Sequence, residues 1–153
     1  EGWQRILGVN LMSYVYCSKA AIPEMTATGR GAIVNVASIR SILAGENTVQ
    51  YDTAKAAILG LTRSTARDYA ASGIRANAVG PGPIYTPFHQ GRAKEQNQSE
   101  DEYRTAFGAK TMLKRPADPS EVASAIAFLA SEDASYITGT CLFVDGGITA
   151  SGD

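Results

Sequence analysis

The stretch that decides the fold runs Ser38-Ile39-Arg40-Ser41-Ile42-Leu43-Ala44-Gly45-Glu46-Asn47-Thr48-Val49-Gln50-Tyr51-Asp52-Thr53-Ala54-Lys55. The residues before it, Ala32-Ile33-Val34-Asn35-Val36-Ala37, lack the polar alternation of a half-exposed strand. They predict a parallel strand buried on both faces and ending at Ser38. A loop over 39–50 follows, and a helix opens near Tyr51. Tyr51 and Lys55 are four apart, which on a helix puts them on one face, one turn from each other. A free phenol, with a pKa near ~10, is a poor proton carrier at neutral pH. An ammonium beside it favours the phenolate. A phenol so placed can exchange a proton with a carbonyl or alcohol oxygen. A serine hydroxyl at the end of the preceding strand can hydrogen-bond that same oxygen.

Working outward, apolar residues at Trp3, Ile6, Leu7, Leu11, Tyr14, Val15, Ala21, Ile22 and Met25 have helical spacing. Pro23 should kink or end this helix, and Gly29 and Gly31 make the turn into the strand. On the other side, a helix from Tyr51 to Ala71 carries Ala54, Ile58, Leu61, Thr65 and Ala66 toward packing neighbours. Ser72-Gly73 stops it. A second strand covers 74–79, and three prolines make Gly80 to Pro87 a stiff loop. The segment 88–114 is the least regular, with short helical character around 103–107 and an exposed His89. Asp118-Pro119-Ser120-Glu121 is a capping pattern for a helix over 119–130. A last strand over 140–144 leads into Asp145-Gly146-Gly147. Strands alternating with helices give an α/β fold with a parallel sheet. In such sheets ligands bind outside the carboxyl ends of the strands, where both Ser38 and the segment after 79 must lie.

At 153 residues the chain amounts to one domain. A net charge of −1, spread along the sequence, points to neither nucleic acid nor an anionic membrane surface. No apolar run reaches membrane-spanning length. Cys17 and Cys141 sit in apolar surroundings and form no metal or redox motif, so both are expected to be buried packing residues in a reducing, cytoplasmic compartment. No metal site is expected.

A Tyr-x-x-x-Lys spacing alone often arises by chance. Here Ser38 precedes Tyr51 by thirteen residues, and that combination resembles the short-chain dehydrogenase/reductase family. The resemblance covers nearly the whole chain. It implies a partial Rossmann fold, the later half of a doubly wound parallel sheet, with residues 1–153 forming the C-terminal part of one NAD(P)-binding domain. It implies a catalytic set of Asn10, Ser38, Tyr51 and Lys55, with Asn10 carried over from Val9-Asn10-Leu11 and its carbonyl holding a water beside the lysine. Pro81, Gly82, Ile84 and Thr86 match the family's Pro-Gly-x-Ile-x-Thr segment, which approaches the nicotinamide. Tyr51 and Lys55 would share in cofactor contact, and 88–114 would be a substrate lid. The closing Thr138-Gly139 and Val144-Asp145-Gly146-Gly147 match the non-extended members. Two departures are visible: Ser41 stands where the family often has Gly, and Tyr51-Asp52-Thr53-Ala54-Lys55 replaces the usual Tyr-x-Ala-Ser-Lys.

The implied activity is hydride transfer between NAD or NADP and a ketone or secondary alcohol, in a homodimer or homotetramer. The Gly-rich phosphate turn and the ribose-reading residue of the first Rossmann half are not in this sequence, so roughly a hundred residues are expected upstream of Glu1. The competing expectation is a non-catalytic half-domain that only associates. In either case the strand at 32–38 should present an open edge.

Overall fold

The computed structural model describes residues 2–151. Three parallel strands form one sheet in the order β1 (Gly31–Val36), β2 (Ile74–Pro81), β3 (Cys141–Val144). Val36 pairs with Val79, and Pro81 with Val144, so all three carboxyl ends finish at one edge. The second strand runs two residues past its expected end, into Gly80-Pro81. Among the described residues β1 is an edge strand, and most of it is only half-buried, in place of the full burial expected. The apolar run forms the expected strand, but burial on both faces needs a neighbour on each side.

The first helical segment is not one regular helix. It comprises α1 (Gly2–Leu7), a π-helical turn at Gly8–Met12 and α2 (Ser13–Thr28). Pro23, expected to kink or end the helix, does not end it: α2 runs on to Thr28. Pro23 and Lys19 are both exposed, so solvent can satisfy the Lys19 carbonyl that a proline cannot bond. The stop is Gly29, whose φ of 68° suits a residue without Cβ.

α3 (Val49–Tyr69) packs on β2 and buries Ala54, Lys55, Ile58, Thr62, Thr65 and Ala66. Leu61, expected to pack, is half-buried, and Thr62 beside it is fully buried. Its hydroxyl donates to the Ile58 carbonyl (2.8 Å) and accepts from Asn35 of β1 (2.9 Å), so the buried polar groups satisfy each other. α6 (Pro119–Ala130) covers the other side through Val122 and Leu129, packed with Val79, Ile84 and Val144. Its first turn is closed by Glu121, which accepts from the Asp118 amide (2.9 Å) and from both arms of Arg115 (2.7 Å each). That fork holds the Glu121 carboxyl down at about 2. Arg75 of β2 donates to the carbonyls of Leu129 (2.8 Å) and Ser131 (2.9 Å), tying the strand to the end of α6.

The segment 88–114 is more regular than expected. It folds into α4 (Pro87–Glu95) and α5 (Glu100–Gly108), the latter opened by a Ser99–Glu102 capping box. α4 is polar throughout and has too little apolar periodicity to be seen in sequence. The cysteines also differ from expectation: Cys17 is exposed and Cys141 half-buried. Cys17 lies on the face of α2 that no described element covers.

Leu129 is 1% exposed in the cluster between α6 and the sheet. Leu129→Ala is expected to lower unfolding free energy by about 2–5 kcal/mol, measured by urea denaturation.

Candidate active site

The site forms where β1 ends against α3. Ser38 is buried just beyond the strand. Its Oγ accepts the Arg40 amide (3.1 Å), and its carbonyl accepts the Ser41 hydroxyl (2.6 Å) and the Ser41 amide (3.0 Å). The Ser41 that departs from the family pattern therefore closes a tight turn of 3-10 type, Ile39–Ser41, directly on Ser38. The rest of the loop is tied to the helix by Asp52. One of its oxygens accepts from the Gly45 amide (2.8 Å) and the Thr48 hydroxyl (2.9 Å), which fixes the approach to Tyr51.

Lys55 is buried, with its Nζ donating to the Val36 carbonyl at 2.9 Å. The ammonium lies 5.7 Å from the Tyr51 ring centroid and 5.4 Å from that of Tyr14. Burial lowers the Lys55 pKa from the ordinary lysine value. Tyr51 is half-buried on the same face, as its four-residue spacing requires. Asn10 sits in the π-helical turn, where its Nδ2 donates to the Ile6 carbonyl (3.2 Å). Such turns recur at functional sites because they release backbone groups from the regular helical ladder. Tyr14 is one turn further on, with its hydroxyl donating to the Val36 carbonyl (2.9 Å). Sequence reading placed Tyr14 only in the apolar stripe. Its spacing of four from Asn10 was the available signal.

Pro81, Gly82, Ile84 and Thr86 follow β2 at the same edge of the sheet as Ser38. The Gly82 amide donates to Val144 (3.0 Å), and a Cβ there would meet the Asp145 backbone, so glycine lets the strand ends converge. The Asp145 carboxylate accepts from the Gly147 and Thr149 amides and the Thr149 hydroxyl. Burial alone would raise its pKa, but these bonds outweigh it and hold the group below the usual carboxylate value. Ile84 bridges to Ala117 in parallel, and the Tyr85 amide donates to the Ala117 carbonyl (2.8 Å). Thr86 precedes α4 and makes no side-chain cap bond with it.

His89, expected to be exposed, is half-buried among aromatics. Its Nδ1 lies 3.0 Å from the Tyr103 hydroxyl, and its ring 4.3 Å from that of Phe107. A cleft of about 560 Å³ is lined by the segment that follows Ser38, with Ile39, Leu43 and Met112 among its walls and Arg40, Lys110 and Lys114 around it.

Comparisons with known proteins bear on the family and the fold. The family model described as enoyl-(acyl carrier protein) reductase matches residues 1–149. The cis-4-hydroxycyclohexanecarboxylate dehydrogenase of Sinomonas cyclohexanicum is 45% identical over 148 residues, covering 97% of this chain and 57% of the relative. The ligand-free aldohexose dehydrogenase of Thermoplasma acidophilum superposes with a TM-score of 0.90 at 43% identity, covering 98% of this chain and 60% of that one. The gluconate 5-dehydrogenase of Burkholderia cenocepacia J2315, in complex with NADP and tartrate, superposes at 0.86 and 30% identity, covering 98% and 57%. The chain belongs to the short-chain dehydrogenase/reductase family. It spans somewhat over half the length of the relatives it matches.

His89 is the only histidine. Burial first, then the nearby Arg92, lowers its pKa in the fold. The unfolded chain therefore binds the proton more readily, and stability falls as pH drops from about 6.5 toward the depressed folded value. Melting temperature should decline across that window in the wild type. His89→Phe should remove that part of the slope.

Proposed function

We propose that the complete protein is an oxidoreductase that interconverts a ketone and a secondary alcohol with NAD or NADP. The observation that carries this reading is the buried Lys55 ammonium beside Tyr51 at the carboxyl end of β1. A buried cation is costly unless it is hydrogen-bonded, so its retention there calls for a role.

Tyr51 transfers the proton to or from the substrate oxygen. Ser38 donates to that oxygen and orients it; the closed turn of 39–41 limits where its hydroxyl can move. Lys55 has three donors, of which Val36 takes one. The remaining two serve the phenol and the nicotinamide ribose. Asn10 completes a proton relay through water, in keeping with its π-helical turn. The residues present suit the nicotinamide end of the cofactor. Thr86 keeps its hydroxyl out of the α4 cap, and the backbone from Pro81 through Ile84 is pinned at the edge where Ser38 lies. When bound, NAD(P) supplies or accepts the hydride at the carbonyl carbon. The segment 88–114 serves as the substrate lid, consistent with its position after Thr86 and the small aromatic cluster that holds α4 against α5. The names of the relatives, dehydrogenases of alcohols and sugars, support the substrate class. A cytoplasmic setting suits two free thiols.

In the complete protein, Tyr51→Phe is expected to reduce kcat by at least about a hundredfold while cofactor affinity stays near wild type. Fluorescence titration of bound NADH or NADPH beside steady-state turnover separates the two, and near-normal turnover sinks the assignment. Lys55→Ala should damage both, because one ammonium serves both partners. The non-catalytic alternative predicts no turnover even in the wild type.

We also propose a homodimer or homotetramer, built on α2 and α3. Exposed Val9 and Tyr16, together with the exposed Thr53 and Ala56, support an apolar contact there. Light scattering of the complete protein should give two or four times its chain mass, and a monomer at micromolar concentration overturns this.

A further inference from the structure

We propose that the substrate carries an anionic group on an apolar stem, and that Arg40, Lys110 and Lys114 hold that group in the cleft between the loop after β1 and the end of the 88–114 segment. The proposal rests on the function given above and names its substrate class.

The cleft and the Ser38 hydroxyl share one turn. Ile39, a wall of the cleft, follows Ser38 directly, and Arg40, another wall, gives its amide to the Ser38 Oγ at 3.1 Å. A volume of about 560 Å³ is within the range of small-ligand sites. No wall belongs to β1 itself, and the far side is fixed from within the chain. The Met112 and Leu113 amides both donate to the Gly146 carbonyl (2.8 and 3.3 Å).

The charge around the cleft is of one sign. Leu43, Met112 and Ile148 supply apolar surface, and the wall segments 39–44, 109–114 and 148–151 contain no Asp or Glu. Among the described residues none of the three cations forms an ion pair. The uncharged polar walls are already engaged: the Thr111 hydroxyl donates to Gly108 (2.9 Å) and that of Ser151 to Ile148 (2.9 Å). The cations keep donors over. Arg40 Nη1 donates to the Ala44 carbonyl (2.6 Å), which orients the guanidinium before any ligand arrives and leaves its other donors. Lys114 Nζ donates to Ala109 (3.1 Å) and keeps two. An anion among the three relieves their mutual repulsion, which a neutral ligand cannot do. The backbone at Lys114 is left-handed (φ 54°), a conformation that Gly or Asn adopts at lower cost.

The test uses the complete protein with NADH or NADPH. The probes are levulinate and its two longer keto-acid homologues, each beside its methyl ester, which keeps carbonyl and stem but lacks the charge. At least one acid should exceed its ester in kcat/KM by about threefold or more, and added NaCl should narrow the gap. Lys110→Gln combined with Lys114→Asn, the Asn suited to the left-handed backbone, should cut the acid-to-ester ratio by about threefold or more. Lys110→Arg with Lys114→Arg should restore it. Damage to the fold moves acid and ester together, so an unchanged ratio in the charge-removing variant overturns the proposal. Wild-type esters that match or exceed every acid overturn it too, and that comparison decides alone if the variant does not fold. Should the wild type reduce none of the probes, binding decides. The acid should then slow trinitrobenzenesulfonate labelling of Lys110 and Lys114, read by peptide mass mapping, and the ester should not; equal labelling with and without the acid refutes the anion site. A wild type that turns over no ketone or secondary alcohol overturns the proposed function, while the labelling result still decides the cleft.

Discussion

A charged amine is buried at the end of an edge strand, and much of the local structure follows from keeping it there. Removing an ammonium from water costs several kcal/mol unless donors and charge find partners. Lys55 finds the Val36 carbonyl and the faces of two tyrosines. Those contacts set how α3 lies against β1. They also bring the turn bearing Asn10 and Tyr14 to the same point. The burial that lowers the Lys55 pKa thus arises from elements separated widely in sequence.

Lateral ties make that geometry reproducible. The parallel register places Val36, Val79 and Val144 near one edge, and so aligns the segments that follow each strand. Buried polar side chains then lock the layers. Asn35 and Thr62 join β1 to α3, and Asn77 donates to Ile137 (2.8 Å) while accepting the Thr140 amide (3.2 Å). Each such group is satisfied, so none carries the cost of an unmade bond. The loop from Ser38 to Thr48 gains its shape in the same way, through Ser41 and Asp52. The two departures from the family's habit bear on this shape differently. Ser41 closes the turn, whereas Thr53 and Ala54 leave the helix geometry unchanged.

Much of the framework was legible because it is written in local patterns. The apolar run at 32–37, the helix signals at Asp118 and Glu121, and the stop at Gly73 each act within a few residues. The four-residue spacing of Tyr51 and Lys55 placed them on one face without knowledge of any neighbour. Less legible were α4, whose polar composition carries little periodicity, and the continuation of α2 past Pro23 to Thr28. His89 looked exposed because its neighbours in sequence are polar. Its neighbours in space, Tyr103 and Phe107, come from the next helix.

The sequence by itself determined the order of strands and helices, the face shared by Tyr51 and Lys55, and the position of Ser38 at a strand end. These depend on periodicities of two and 3.6 and on turn chemistry, all of which operate locally. Only the tertiary structure decided what Lys55 bonds to, which phenol is held by the backbone, and how Asn10 is released into a π-helical turn. Those outcomes depend on α2, β1 and α3 meeting at the Val36 carbonyl, and a contact between residues 14, 36 and 55 has no signature in any window of the chain.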